Sequence, residues 1–513
     1  MEIGQKDIEL IVQQVLKNVV SQASQAEAPE APASAGPQVK TYRPGVPVQE
    51  FSMKSPYVPV SAAAQTVQGD YGVFDTMDQA VEAAYLAQKA YQAGFQLRDR
   101  ERLIKSIRET GIKNAEKLAR MSVDETGLGR YEDKILKNML VLERTPGTEC
   151  LRTEAISGDD GLTIVEHSPY GVIGAITPVT NPTETIINNV ISMLSGGNSV
   201  VFNVHPSAKE VCRFAVQMIN RAIEEAGGPR NLATMVKNPT LETVSELSKN
   251  EKVRMLVGTG GMPMVRSLLQ SGKKVIGAGA GNPPVIVDET ADIKRAAKEI
   301  FKGASFDNNI LCLAEKEVFV IESVATDLVY NMIQEGAFLL NESQLEKIMN
   351  LVLTYDETPK GREYHTSKNW VGKDAGKMLD AIGVQGKSDC RLLICEVGPD
   401  HPFVLLEQLM PVLPIVKCRN LDEAIKYAMI AEHGNRHTAS MFSQSINNLT
   451  RFAREVETTI FVKNGATLAG VGFGGEGHTT MTIAGPTGEG ITNAVSFTRQ
   501  RRCALSEGGF RII

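Results

Sequence analysis

The stretch Gly171-Val-Ile-Gly-Ala-Ile176, with the segments Thr183–Leu194 and Ser199–Val204 that follow it, decides the fold. The two outer segments are short apolar runs that predict strands, and the middle segment predicts a helix. The alternation continues through a helix at about 208–226, a strand at 232–236, a helix at 241–248, a strand at 253–257, a helix at 263–270 and a strand at 274–277. Such alternation predicts a parallel sheet with helices on both faces, which binds ligands beyond the carboxyl ends of its strands.

A second α/β region is predicted after Pro283. Its candidate strands are residues 285–287, 317–321 and 411–416, with helices between them and at 421–431. A chain of 513 residues exceeds the usual ~100–200 residues of one domain, so two or more domains are expected. Residues 70–145 have a helical pattern, and the chain ends in a Gly-rich run (465–490) and a basic tail.

Composition excludes several classes of function. The net charge of −6 argues against a nucleic-acid binder, which needs a basic surface. No apolar run reaches the ~18–20 residues that span a bilayer, so no membrane partner is expected. The seven cysteines form no CxxC pair and no Cys/His cluster, which predicts neither a metal site nor a disulfide framework. Scattered free thiols are typical of a cytosolic protein.

The first twenty residues carry apolar side chains at helical spacing, from Ile8 to Val19. This predicts an amphipathic helix, followed by a disordered linker rich in Ala, Pro, Ser, Gln and Glu. A tethered helix without a core of its own is expected to dock onto another protein. The alternatives are a helix that folds back onto its own domain and a frayed terminus.

Two Gly-rich segments are candidates for ligand contact. Gly258-Thr-Gly-Gly261 follows an apolar strand and opens a helix, where backbone N–H groups favour phosphate, although a simple strand–helix turn explains it equally well. The usual GxGxxG fingerprint is absent there. The second segment is Gly277-Ala-Gly-Ala-Gly-Asn-Pro-Pro284, which joins the two α/β regions, where a ligand-binding cleft is expected. The alternative is that it is a simple linker between the two regions.

Two single residues are candidates for catalysis. Cys312 follows a polar run that includes Ser305 and Asp307, which is too polar for a core strand. A buried cysteine is more often inert, but a loop thiol that lost its proton would attack a carbonyl carbon readily. Asn181 follows the first strand, and its amide is either an oxyanion donor or the cap of the next helix.

Taken together, these sites resemble the aldehyde dehydrogenase superfamily, and within it the CoA-acylating enzymes of bacterial microcompartments that use ethanolamine or propanediol. The resemblance covers about residues 70–513, and the N-terminal helix and linker are similar in kind to the encapsulation peptides of that group. It is carried by residues 180–189, 277–284, 303–316, 407–412, 461–465, 474–477 and 486–490.

The resemblance implies a role for each matching residue. Cys312 matches the nucleophile, Asn181 the oxyanion-hole amide, and Glu407 the glutamate that holds the nicotinamide ribose. The implied cofactor contacts are Thr177, Pro178, His205, Gly258, Thr259, Gly260, Gly261, Gly277, Ala278, Gly279 and Glu407. The chain departs from the hydrolytic branch at Ala278, where those members carry a glutamate base. It also has His205 where many carry a lysine, which leaves the choice between NAD and NADP open.

These roles imply CoA-dependent oxidation of acetaldehyde or propionaldehyde with NAD, through a thiohemiacetal and a thioester on Cys312. Water needs a positioned base to release the acyl group, and Ala278 supplies none, whereas a thiol near pKa 8.5 is partly ionised unaided. His437 is a weak candidate to assist that thiol, and a structural histidine is the alternative. The competing functions are a hydrolytic enzyme, a catalytically silent nucleotide-binding scaffold, and a phosphorylating enzyme, for which no basic cluster near Cys312 is visible in the sequence.

We therefore expect an aldehyde dehydrogenase-like α/β fold with a Rossmann-type cofactor domain, a catalytic domain and a small β element for oligomerisation. The expected parts are an encapsulation helix (1–20), a linker (21–69), the cofactor domain (70–283, with an oligomerisation segment at 150–168), the catalytic domain (284–487) and a C-terminal oligomerisation segment (488–513). The expected partners are shell proteins and a homodimer or homotetramer. The expected location is the lumen of a microcompartment in the cytoplasm.

Overall fold

Two parallel sheets form the framework of the computed structural model, which describes residues 69–359 and 361–506. The strands of these residues are β1 Val73–Phe74, β2 Glu154–Gly158, β3 Gly161–Pro169, β4 Val172–Ile176, β5 Ser199–Asn203, β6 Ala233–Val236, β7 Val253–Thr259, β8 Lys274–Ala278, β9 Pro284–Val287, β10 Glu317–Ile321, β11 Phe338–Leu339, β12 Leu353–Thr358, β13 Gly361–Thr366, β14 Leu393–Glu396, β15 Val412–Cys418, β16 Thr438–Phe442, β17 Ile460–Lys463, β18 Ile483–Ala484, β19 Gly490–Ile491 and β20 Thr498–Ser506.

Fourteen helices occur in the same residues. They are α1 Met77–Gly94, α2 Leu97–Thr126, α3 Tyr131–Arg144, α4 Pro182–Ser195, α5 Lys209–Glu225, α6 Leu241–Lys249, α7 Met262–Leu269, α8 Ile293–Ser305, α9 Glu322–Gln334, α10 Glu342–Val352, α11 Ala375–Ala381, α12 Pro402–Leu405, α13 Leu421–Glu432 and α14 Ile446–Val456.

The first sheet has the strand order β1-β6-β5-β4-β7-β8, and all its pairs are parallel. All five residues of the central strand β4 are buried, and so are all fourteen of the helix α4 that follows it. A parallel sheet covered on both faces requires such continuous apolar runs. The predicted elements are confirmed with ends shifted by one or two residues, and Gly258 and Thr259 belong to β7 rather than to a loop.

The second sheet has the order β11-β14-β15-β10-β9-β16-β17 and is also parallel throughout. The chain passes from the first sheet to the second between Ala278, the last residue of β8, and Pro284, the first of β9. The strand predicted at 411–416 lies at Val412–Cys418 instead. This architecture confirms the predicted fold class.

A third sheet is antiparallel and joins two distant parts of the chain. Its order is β2-β3-β20, so residues 161–169 pair with residues 498–506 on one side and with residues 154–158 on the other. Eight of the nine residues of β20 are exposed. The exposed hairpin formed by β12 and β13 was not predicted from the sequence.

The predicted N-terminal helix (1–20) and nearly all of the predicted linker lie outside the described residues, as does the end of the C-terminal segment. Among the described residues, no helix is long and apolar enough to cross a membrane.

Candidate active site

Cys312 lies between a short turn of 3-10 helix, Phe306–Asn309, and the strand β10. Asp307, Asn308 and Asn309 in that turn have left-handed backbones, with φ of 47°, 53° and 62°. Asp and Asn tolerate this conformation better than other L-residues, because their short polar side chains bond to nearby backbone. The polar run before Cys312 is therefore a requirement of the backbone, and these three side chains are buried.

Buried hydrogen bonds hold this loop in place. The Asn309 Nδ2 donates to the carbonyl oxygens of Ala304 at 2.9 Å and Glu315 at 2.8 Å. The ammonium group of Lys316, itself 2% exposed, donates to the carbonyl oxygen of Leu311 at 2.7 Å. The loop thus presents Cys312, which is partly exposed, on a rigid support.

Gly281 brings the linker between the two sheets against Cys312. A β-carbon at Gly281 would lie 2.5 Å from the carbonyl oxygen of Cys312 and 3.0 Å from Cγ of His437. The N–H of Gly281 donates to Oε1 of Glu407 at 3.3 Å. The Gly-rich segment is therefore part of the site rather than a plain linker, and it gathers Cys312, Glu407 and His437.

The surroundings of Cys312 oppose its ionisation. Burial and, to a smaller extent, the carboxylate of Glu407 raise the pKa of the thiol to about 12, while the charges of Lys316 and Lys137 act in the opposite direction. Burial also raises the pKa of the Glu407 carboxyl. The thiol is thus protonated at neutral pH in this state, and the two lysines are the groups that favour the thiolate.

His437 is a buried neutral imidazole. Burial, together with the charge of Lys316, lowers its pKa to about 4. Its Nδ1 lies 2.8 Å from Oγ1 of Thr438, and its Nε2 has no hydrogen-bond partner among the described residues. When Nδ1 carries the proton, Nε2 is an acceptor. The sequence ranked His437 as a weak candidate, and its position beside Gly281 strengthens that candidacy.

Asn181 occupies the N-cap position of α4, but its side chain makes no capping hydrogen bond. The alternative that it is simply a helix cap is therefore wrong. Its Oδ1 accepts a hydrogen bond from Nζ of Lys137 at 2.6 Å, and its Nδ2 donates to Oγ1 of Thr180 at 3.2 Å. The amide is 6% exposed, and one of its two N–H donors has no hydrogen bond in the described structure.

A buried cluster of charges lies behind Asn181. Lys134 and Lys137 of α3 both bond Oδ2 of Asp307, at 3.2 and 2.6 Å, and Lys137 lies 3.7 Å from Glu184. No basic cluster lies near Cys312 in the sequence, as predicted. In the folded chain, however, Lys134 and Lys137, about 175 residues upstream, contact the Asp307 side chain in the loop that carries Cys312. These lysines are paired and enclosed, so they offer no open site for phosphate. The only sequence signal for these two lysines is their spacing of three residues in a helical pattern, and this spacing is typical of an ordinary solvent-exposed helix face.

The predicted cofactor residues lie at the carboxyl ends of four neighbouring strands. Thr177 and Pro178 follow β4, His205 follows β5, Gly258 to Gly261 end β7, and Gly277 to Gly279 end β8. The N–H of Gly260 donates to the carbonyl oxygen of Ala278 at 3.0 Å, which joins the last two groups. In such sheets a dinucleotide binds where the strand order reverses, here between β4 and β7.

Two observations fit a dinucleotide at this edge. The hydroxyl of Thr177 is buried and has no hydrogen-bond partner within the part of the chain that the structure describes, which leaves it available to a ligand group. α7 begins immediately after Gly261, which directs a helix N-terminus at the same edge. Glu407 belongs to the region of the second sheet. It contacts the segment that follows β8 through its hydrogen bond with the N–H of Gly281.

Ala278 is 3% exposed and provides no carboxylate at the end of β8. Burial, with the charge of Lys368, lowers the pKa of His205. No group of three or more His, Cys, Asp or Glu residues suited to a metal occurs in residues 69–359 and 361–506.

Comparison with known proteins agrees with this geometry. The sequence model of the aldehyde dehydrogenase family matches residues 58–354 of the chain. The chain is 45% identical over 517 residues to "Acetaldehyde dehydrogenase (acetylating)" of Bilophila wadsworthia, covering 100% of both chains. It is 46% identical to "Propanal dehydrogenase (CoA-propanoylating)" of Salmonella typhimurium, over 85% of this chain and 92% of the relative.

Solved structures show the same similarity. A propionaldehyde dehydrogenase of Rhodopseudomonas palustris, solved with bound CoA and an acylated cysteine, gives a TM-score of 0.83 at 48% identity, over 86% of this chain and 100% of that one. A propionaldehyde dehydrogenase from the fucose utilisation bacterial microcompartment of Clostridium phytofermentans gives 0.82 at 49% identity, over 85% and 99%. The resemblance inferred from sequence is thereby confirmed.

Proposed function

The chain belongs to the aldehyde dehydrogenase family, and we propose that it oxidises a short-chain aldehyde to an acyl-CoA with NAD as the hydride acceptor. The observation that carries this proposal is the contrast beside Cys312: a neutral histidine approaches through Gly281, while Ala278 leaves the end of β8 without a carboxylate base. Relatives named for acetaldehyde and for propanal are about equally similar, which supports the use of both aldehydes.

In the first step, Sγ of Cys312 bonds to the aldehyde carbon and the thiol proton passes to solvent water, which reaches the partly exposed Cys312. The carbonyl oxygen becomes an oxyanion, which the free N–H of Asn181 and the backbone N–H of Cys312 stabilise. Thr177 and the N-terminus of α7, at the edge between β4 and β7, would hold NAD, which would supply the acceptor for the hydride that leaves the carbon as the thioester forms on Sγ. Glu407, bonded to Gly281, is placed to orient the cofactor ribose.

In the second step, the thiol of CoA attacks the thioester. His437 accepts the thiol proton at Nε2, which a pKa of about 4 keeps unprotonated at neutral pH. The new carbon–sulfur bond forms, the bond to Cys312 breaks, the proton passes from His437 to the released Sγ, and acyl-CoA leaves. Water competes poorly, because its pKa of about 15.7 is far above that of a thiol, about 8.5, and Ala278 supplies no carboxylate base.

The deciding experiment follows NADH formation from acetaldehyde and propionaldehyde with and without CoA. We expect sustained turnover only with CoA, and acyl-CoA as product. Equal turnover without CoA, with release of free acid, would show a hydrolytic enzyme instead.

Cys312→Ala tests the nucleophile and should abolish turnover. Cys150→Ala is the matched control, because Cys150 is also partly exposed but lies in a separate 3-10 turn. NAD binding with no aldehyde-dependent reduction in the unsubstituted protein would favour the scaffold alternative.

The proposed location is the lumen of a bacterial microcompartment, entered through residues 1–20 and shell proteins. Support comes from the amphipathic pattern of these residues, from the full-length match to the Bilophila relative, and from the microcompartment origin of the Clostridium structure. Deleting residues 1–20 should leave activity intact and abolish co-purification with shells. Deleting residues 27–46, a linker piece of equal length, should have little effect; shell association that survives the first deletion would contradict the proposal.

The proposed oligomer, a homodimer or homotetramer, assembles through the third sheet. Support comes from the exposed edge strand β20 and from two apolar side chains on this sheet, Ile156 and Leu505, which are 55% and 47% exposed. Replacing both by lysine should shift the protein to monomers in light scattering. Leu241→Lys, at a site 89% exposed elsewhere, is the control. An unchanged mass for the double variant would place the interface elsewhere.

A further inference from the structure

Two lysines of α3 are buried completely, which is rare enough to require a reason. Lys134 and Lys137 are 0% and 1% exposed and lie three residues apart, on one face of the helix. Removing an ammonium group from water costs several kcal/mol, which ion pairing recovers only in part. A pair of apolar residues would fill the same space at lower cost, so the charges are expected to serve the site.

The two lysines differ in two contacts, one of which is that only Lys137 lies near Glu184, at 3.7 Å. Both donate to Oδ2 of Asp307, and both lie 3.4 Å from the carbonyl oxygen of Thr180. Only Lys137 reaches Oδ1 of Asn181, at 2.6 Å. The charge of Lys137 is also the one that lowers the pKa of Cys312. Lys137 therefore connects the oxyanion amide to a fixed carboxylate, and Lys134 does not.

This contact determines which way the amide of Asn181 faces. A side-chain amide has an oxygen on one side and an NH2 group on the other, and its terminal torsion is broad when nothing restrains it. An ammonium group has only donors, so Lys137 can bond only the oxygen. The NH2 group is thereby turned away from Lys137, with one N–H on Thr180 and the other free.

Building on the proposed function, we propose that Lys137 is a positioning residue, which fixes the Asn181 amide with its N–H groups toward the oxyanion and adds a positive charge behind it. Asp307 and Glu184 hold the ammonium group from the other side. Preorganised donors of this kind stabilise a developing negative charge because they need no rearrangement at the moment of reaction.

The test compares Lys137→Met with Lys134→Met in the full-length protein. Both substitutions remove one buried charge next to Asp307, and Lys137→Met also removes the ion-pair partner of Glu184 and the donor to Asn181. The double-mutant cycle with Asn181→Ala separates these two losses. We expect Lys137→Met to lower kcat about 10²-fold, comparable with the loss of an oxyanion donor, with KM for the aldehyde changed less than threefold. Lys134→Met should lower kcat less than fivefold. Equal losses in the two variants would overturn the proposal.

A double-mutant cycle with Asn181→Ala separates positioning from a general effect. If Lys137 acts through Asn181, adding Lys137→Met to Asn181→Ala should cost much less than it costs alone, under tenfold. Additive losses would contradict the proposal. If Lys137→Met does not fold, Lys137→Arg keeps the charge between Asp307 and Glu184 and carries the same cycle, with a smaller expected loss of about tenfold.

Failure of this inference is distinguishable from failure of the proposed function. An unsubstituted protein that lacks CoA-dependent aldehyde oxidation refutes the proposed function. An active protein whose Lys137→Met variant retains its kcat refutes only the positioning role.

Discussion

The carbonyl oxygen of Cys312 leaves no room for a β-carbon on Gly281, which would lie 2.5 Å from it. Gly281 has no positive φ, so alanine would suit its backbone, and the restriction comes only from the close packing of two segments. A third group, the ring of His437, borders the same space. The relationship fixes the distance between the loop that carries the thiol and the segment that joins the two sheets.

Gly281→Ala should therefore displace the Cys312 loop. We expect kcat to fall at least tenfold and the free energy of unfolding to fall by about 1–3 kcal/mol, as for other overpacked sites. Gly398→Ala is the control, because its β-carbon meets no atom within 4 Å. Steady-state kinetics and denaturant unfolding measure both effects, and normal kcat would mean that the loop yields without consequence.

Glu407→Gln should make Cys312 more reactive toward iodoacetamide at pH 8. The carboxylate raises the pKa of the thiol, so its removal increases the thiolate fraction. A nearby like charge typically shifts a pKa by one unit or more, which corresponds to an alkylation rate about tenfold higher. Mass spectrometry locates the modified cysteine, and Cys312→Ala gives the background. A slower or unchanged rate would contradict the proposed electrostatic effect.

His437→Gln should separate the two chemical steps. The first turnover should still give a burst of NADH, because Cys312 and Asn181 are intact. Steady turnover with CoA should fall about 10²-fold, the usual contribution of a general base. Stopped-flow absorbance measures the burst, and His365→Gln on the exposed hairpin is the control. A burst that disappears together with turnover would assign His437 to the first step.

Ala278→Glu should introduce hydrolysis. The hydrolytic branch of the superfamily that the chain resembles carries its glutamate base at this position, so free acid formed without CoA should increase at least tenfold. Ala278→Gln is the matched control, because it has the same size without a base. Product analysis by chromatography distinguishes the free acid from the thioester. Equal hydrolysis by the two variants would show that a carboxylate base at this position does not cause the hydrolysis.

Glu315→Gln should change how stability depends on pH. Burial raises the pKa of Glu315 from 4.5 to about 7 in the folded protein. Its contribution to stability is thus complete below about pH 4.5 and is lost as the pH rises through about 7, a difference of about 3 kcal/mol. The glutamine keeps an acceptor for the N–H of Thr467, which donates to Oε1 at 2.7 Å.

Above pH 7 the Glu315→Gln variant should therefore be more stable than the unsubstituted protein, and below pH 5 the difference should vanish. Denaturant unfolding between pH 5 and 8.5 measures this, with Glu289→Gln at an exposed position as the control. Parallel pH curves for the variant and the unsubstituted protein would show that Glu315 titrates normally.

The sequence by itself determined the order of strands and helices from β4 to β8, because buried parallel strands need continuous apolar runs and helices need a longer period. It also determined the candidate residues that lie at strand ends, such as Thr177 and Gly258, because these positions follow from the elements. It offered Cys312 because the residues before it are too polar for a core strand, and the structure adds that these residues adopt a left-handed backbone in a buried turn.

Only the tertiary structure decided what surrounds the thiol. Lys137 and Asp307 are 170 residues apart and meet at 2.6 Å, and Gly281 and Glu407 are 126 apart. The periodicity of apolar residues shows which face of one helix or strand is buried. It carries no information on which distant element packs against that face. The lysines of α3 therefore looked like surface residues in the sequence, and packing against α4 and the Cys312 loop made them a buried part of the site.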